Sequence, residues 1–115
     1  MENLQLDRHD GVAVIAPRRA RLDAAAAPSF RKEALELIEQ GERRLIVDLS
    51  AVEFVDSSGL GALVSILKAL GARGEMAVYG ARGSVVALFK LTRMDRVFDI
   101  LPDRQAALAR LNGPS

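Results

Sequence analysis

Residues 45 to 61 read Leu-Ile-Val-Asp-Leu-Ser-Ala-Val-Glu-Phe-Val-Asp-Ser-Ser-Gly-Leu-Gly, and within them the apolar pattern changes from that of a strand to that of a helix. Leu45 to Leu49 is a short apolar run containing β-branched Ile46 and Val47, which suits a buried strand, whereas Leu60 to Leu70 carries apolar residues at helical spacing. Asp56, Ser57, Ser58 and Gly59 are left to form the turn, with Asp56 the natural N-cap. Ser57 then lies at a helix N-terminus, where unpaired N–H groups and the helix dipole favour negative charge. A phosphate on that serine is tolerated by such a fold.

The flanking segments extend the pattern. Leu4 and Leu6, then Val12 and Val14, alternate on either side of His9-Asp10-Gly11 and predict a β-hairpin. Pro17 to Arg21 interrupts the alternation; Asp23 can cap the next helix, and Pro28 fits a first helical turn. This helix is expected to run to about Gln40, with Phe30, Ala34, Leu37 and Ile38 on its buried face and Gly41 ending it. Phe54 and Val55 are expected to turn inward ahead of a helix from Ser57 to about Leu70, whose buried face is Leu60, Leu63, Val64, Leu67 and Leu70. Glycine-bounded turns frame a strand at Met76 to Tyr79 and a helix at Ser84 to Leu91. An edge strand near Val97 to Ile100 and a last helix at Gln105 to Leu111 complete the chain. Strands alternating with helices predict an α/β domain over residues 1–115, with a mixed, open sheet of about four to five strands, about four helices and right-handed crossovers.

The chemistry available is narrow. With 115 residues, half of them hydrophobic, the chain suits one core. Sixteen basic and fifteen acidic residues nearly cancel, which disfavours nucleic acid as a partner; the one basic cluster is Arg18, Arg19 and Arg21. There is no cysteine, so disulfides, thiolate zinc sites and cysteine nucleophiles are excluded, and His9 is the sole imidazole, so no metal or other cofactor is expected. No signal-peptide core or apolar run near the roughly 18 residues of a membrane span is present. A cytoplasmic protein without membrane insertion is expected.

Ser57 on a strand-to-helix turn superficially matches a nucleophile elbow, but Val55 stands where that motif needs glycine, and the only histidine is in the first hairpin turn. Ser65 to Lys68 has hydrolase-like spacing without the surrounding architecture of a substrate cleft. The two Gly-Ala-Arg-Gly tetrapeptides, at 71–74 and 80–83, are explained as chain-reversing turns rather than nucleic-acid clamps. Asp48 and Asp56 are not placed together by the sequence as an acid and base pair. No enzymatic activity is expected.

Leu45 to Leu70 resembles the signature of STAS domains of the anti-sigma factor antagonist type, in which Val-Asp-Leu leads to Asp-Ser-Ser-Gly-Leu-Gly and a helix. Leu22-Asp23 with Ala-Pro-Ser-Phe-Arg resembles that family's loop and first helix, and Leu88-Phe89, Leu91-Thr92 and Arg96-Val97-Phe98 its third helix and exit. The resemblance implies a switch protein phosphorylated on Ser57. Unphosphorylated, it would bind an anti-sigma factor that is also a serine kinase, displacing the sigma factor; a metal-dependent serine phosphatase would restore the bound form. Asp23, Asp56, Ser57, Ser58, Gly59 and Arg21 are the expected partner-binding residues. The family's Gly-Glu-Leu-Asp loop is here Ala20-Arg21-Leu22-Asp23, so the arginines are expected to tune partner choice or to hold the phosphate. Two related roles without switching are a scaffold subunit of a stress-signalling assembly and the small STAS subunit of a membrane lipid ABC transporter.

Overall fold

The computed structural model describes residues 1–112; residues 113–115 of the expected domain lie outside the described residues. Strands β1 (Leu4–His9) and β2 (Val12–Pro17) form the expected antiparallel hairpin. Asp10 and Gly11 between them both take positive φ, 51° and 81°, as a two-residue loop between right-twisted strands requires. The chain continues through β3 (Arg21–Leu22), α1 (Ala27–Glu39), β4 (Arg44–Asp48), β5 (Phe54–Val55), α2 (Ser57–Leu70), β6 (Glu75–Tyr79), α3 (Gly83–Leu91), β7 (Asp99–Leu101) and α4 (Arg104–Asn112).

Five strands lie in the order β1-β2-β4-β6-β7, with β1 antiparallel to β2 and the remaining neighbours parallel. The mixed α/β sheet with four helices is the architecture expected. Period-two alternation divides its side chains between two cores. Ala13, Ile15, Leu45 and Val47 face α1, α2 and α3, while Val12, Val14, Ile46 and Ala77 face α4 through Ala107 and Leu111. Helices on both faces explain why the central strands read as unbroken apolar runs. Arg104 fastens α4 to the sheet, its guanidinium donating to Tyr79 Oη (2.9 Å) and to Asp7 Oδ2 (2.8 Å).

Several expectations shift. β4 starts and ends one residue earlier than Leu45 to Leu49, and the last strand is Asp99–Leu101 rather than Val97 to Ile100, because a 3-10 turn at Met94–Arg96 occupies the approach to it. The buried face of α2 includes Ala62 and Ile66, with Val64 and Leu67 only partly buried. That helix is wedged between sheet and α1, so its apolar arc is wider than one stripe. Phe54 does not turn inward: it is 37% exposed, and Val55 alone enters the core. In a two-residue strand the neighbours must point to opposite faces, and Val55 takes the inner one. Asp23 is not the N-cap of α1, which is Ala26 without a side-chain cap; Asp23 organises the preceding turn, its Oδ1 accepting from the N–H groups of Ala25 (3.1 Å) and Ala26 (3.2 Å).

Candidate functional site

The serine turn is built by one carboxylate. Asp56 is extended, as an N-cap residue must be, and its Oδ1 accepts from the backbone N–H groups of Ser58 (2.8 Å) and Gly59 (3.1 Å), while its carbonyl takes the first helical bond from Leu60 (3.0 Å). The second oxygen, Oδ2, accepts from Ala24 N–H (3.2 Å) in the loop between β3 and α1. Asp56 thus caps α2 and clamps a loop that lies 32 positions away in the sequence.

Beneath this clamp, β3 and β5 pair in parallel, Arg21 opposite Phe54 and Leu22 opposite Val55. The two-stranded sheet carries the β3–α1 loop alongside the serine turn. Gly59 makes the approach possible: a Cβ there would lie 2.1 Å from the Leu22 carbonyl oxygen and 2.9 Å from Val55 Cγ1. Gly59 is buried, so it supports the site from below rather than offering a surface to a partner.

Of the other expected site residues, Ser57, Ser58 and Arg21 are exposed and Asp23 and Asp56 half-buried, all at this end of the fold. Desolvation acts to raise the Asp23 carboxyl, but the Ala26 N–H, the Arg21 guanidinium (3.4 Å) and the Ala25 N–H together hold it below the usual carboxylate range. It is a fixed negative charge at neutral pH. The Arg21 guanidinium also lies over the Phe54 ring, 4.1 Å from its centroid. The sequence pattern does not announce this pair, because it places Phe54 in the core. The arginine cluster divides: Arg18 Nε donates to the carbonyls of Met1 (2.9 Å) and Leu4 (3.1 Å), anchoring the start of β1, whereas Arg19 and Arg21 border a recess with Asp23. Between the first turns of α1 and α2 an open groove of about 320 Å³ is lined by Pro28, Arg31, Ser58, Gly61 and Ser65.

Replacing Asp56 by alanine removes the helix cap and the loop clamp together and is expected to cost about 2 kcal/mol, measured by urea unfolding. Asp56→Asn, which keeps a capping oxygen, is expected to lose about half as much.

The model of the STAS domain family matches residues 3–107. The chain belongs to the STAS domain family. This STAS domain is 33% identical over 99 residues to the anti-sigma-F factor antagonist RsfB of Mycobacterium tuberculosis, an alignment covering 83% of this chain and 80% of the relative. It is 35% identical over 81 residues to the anti-sigma-B factor antagonist of Listeria monocytogenes, covering 69% and 70% of the two chains. The crystal structure of an anti-sigma factor antagonist from Mycobacterium paratuberculosis superposes with a TM-score of 0.86 at 30% identity, over 94% of this chain and 92% of that one. Among the described residues of this STAS domain, no helix is long and apolar enough to cross a membrane, and no group of three or more His, Cys, Asp or Glu is placed to hold a metal ion.

Proposed function

We propose that this protein is an anti-sigma factor antagonist acting as one cytoplasmic STAS domain, and that Ser57 is the residue whose phosphorylation switches its partner. The observation that carries the proposal is the serine turn: an exposed hydroxyl on the first residue of α2, held in place by the Asp56 clamp and the Gly59–Leu22 contact. Unphosphorylated, the turn and its neighbours Arg21, Asp23 and Ser58 bind an anti-sigma factor that is also a serine kinase. The kinase transfers phosphate to Ser57 and is released; a metal-dependent serine phosphatase reverses the modification. The protein is substrate and partner in this cycle rather than catalyst.

The local hydrogen bonds support a switch that works by charge. Asp56 already occupies the N–H groups of Ser58 and Gly59, so a phosphate on Ser57 finds these donors taken. It adds about −1.5 to −2 charges beside an existing carboxylate and projects them at the partner. The α2 dipole keeps the charge from unfolding the domain. In a desolvated interface, uncompensated charge and bulk costing about 2–3 kcal/mol lowers affinity roughly 30- to 150-fold.

The test is incubation with ATP, magnesium and a purified candidate anti-sigma factor kinase from the same organism, with the phosphate mapped by intact and peptide mass spectrometry and binding measured by calorimetry. One phosphate is expected, absent from Ser57→Ala, and the phosphorylated protein is expected to bind the kinase about 30- to 150-fold more weakly. A kinase that binds but neither modifies Ser57 nor discriminates the phosphorylated form refutes the proposal.

A further inference from the structure

Residues 90–97 form an exposed knuckle between α3 and β7 whose base is pinned to the core. Phe89 and Phe98, on either side of it, are both buried and pack edge-on, ring centroids 5.8 Å apart. Within the knuckle the chain is held by successive turns: Thr92 Oγ1 donates to the Leu88 carbonyl (2.7 Å), Arg93 N–H to the Lys90 carbonyl (3.1 Å) and Arg96 N–H to the Arg93 carbonyl (3.2 Å). Each such turn keeps its first and fourth residues within about 7 Å, so Lys90, Arg93 and Arg96 are close neighbours. All three are exposed, and none has an ion-pair partner among the described residues. Lys90 complements the α3 dipole, which accounts for one cation, but Arg93 and Arg96 lie beyond the helix. Arg93 takes the left-handed conformation, φ 61°, at a helix C-terminus that favours glycine. Asp95 is the only carboxylate in the segment.

The same segment carries the two most exposed large hydrophobic side chains, Leu91 (83%) and Val97 (48%). A nucleic-acid backbone matches the cations alone. An acidic protein would need a recess shaped for each apolar side chain, whereas an anionic bilayer takes both kinds of residue without one: basic side chains at the headgroups, apolar ones at the acyl boundary, and no spanning helix. We infer that the Lys90–Val97 knuckle docks on an anionic phospholipid surface, with Lys90, Arg93 and Arg96 among the headgroup phosphates and Leu91 and Val97 entering the interface. The Phe89–Phe98 pair holds the knuckle ready, so little ordering cost falls on binding. The knuckle precedes β7 whereas the serine turn follows β4, and these strands run parallel through β6, so the two surfaces lie toward opposite ends of the sheet. The inference therefore stands apart from the switch at Ser57.

The experiment measures co-sedimentation of the full chain with vesicles of phosphatidylcholine alone or mixed with phosphatidylglycerol, at low and high salt. Binding is expected only with phosphatidylglycerol, and is expected to weaken at high salt as surface charge is screened. Arg93→Gly, which suits the left-handed backbone, is expected to weaken binding about fivefold, the factor that one basic residue contributes near an anionic surface. The combined Lys90→Glu, Arg93→Gly and Arg96→Glu variant is expected to lose binding, and Leu91→Ser to weaken it at both salt concentrations. The substituted side chains are exposed, and circular dichroism melting checks that each variant is folded. Absence of phosphatidylglycerol-dependent binding by the wild type overturns the inference, as does wild-type binding by the folded combined variant or by Leu91→Ser. If polyglutamate is bound through the same cations and the vesicles are not, the partner is an acidic protein and the inference fails.

Discussion

A Gly59→Ala protein is expected to lose about 3 kcal/mol or more of stability, an unusually large effect for the addition of one methyl group. The new Cβ would sit 2.1 Å from the Leu22 carbonyl oxygen, a backbone atom fixed by the β3–β5 pairing, and 2.9 Å from Val55 Cγ1. Rotamer adjustment cannot relieve the first contact. Relief requires the start of α2 to lift from β3, which strains the Asp56 N–H bond to Leu22 (3.4 Å) and the clamp on Ala24. Urea unfolding should therefore show a lowered midpoint. Gly61→Ala is the matched control two positions further along the same helix. Its Cβ meets nothing within 4 Å, and replacing a helical glycine is expected to stabilise by about 0.5–1 kcal/mol. Equal stability losses in the two variants would mean that the close approach at Gly59 is not the cause.

Phe89→Ala is expected to cost about 3–5 kcal/mol and to lower the calorimetric midpoint by about 15 °C. The ring is fully buried and packs edge-on against Phe98, centroids 5.8 Å apart at 76°, and this pair secures α3 and the segment beyond it to the main core. The residue two positions later behaves oppositely. Leu91→Ala, at a side chain 83% exposed, is expected to shift stability by no more than about 0.5 kcal/mol. If Leu91→Ala were as damaging as Phe89→Ala, the Leu91 side chain would belong to the core and not to the solvent-exposed surface.

Much of the fold is legible because most of its elements are long enough to express a period. Five-residue β4 and fourteen-residue α2 announce themselves by a change of spacing, and Asp56 as N-cap follows from a short polar residue placed ahead of the helical run. The hairpin is legible from Asp10-Gly11 between alternating segments. Strands β3 and β5 are not, since two residues cannot carry a period; they exist because Gly59 lets α2 sit against Leu22. The misplacement of Phe54 stems from that omission: without β5 nothing in the sequence opposes the tendency of a phenylalanine to be buried, whereas with β5 in place Val55 takes the inner side. Asp23 misleads for a related reason. Aspartate favours turns and N-caps alike, and here it closes the turn before the helix while Ala26 occupies the cap. Of the candidate site, the polar residues of the turn are visible as a motif, but the second reach of Asp56 to Ala24 and the Arg21–Phe54 stack depend on contacts between distant segments. Placement of α4 on the opposite side of the sheet is likewise inaccessible, because the central strands are apolar on both faces.

The short β3–β5 ladder has a meaning for cells that contain several such proteins. The distance from Ser57 to the loop at 19–23 is set by main-chain pairing of β3 with β5 and by the Asp56 clamp, while the Arg21 side chain packs over Phe54 on the outer face of that ladder. Surface charge at this position can therefore be exchanged during divergence without moving Ser57. Duplicated copies can change the charge they present beside the serine turn by single substitutions, while the geometry of the turn is inherited unchanged.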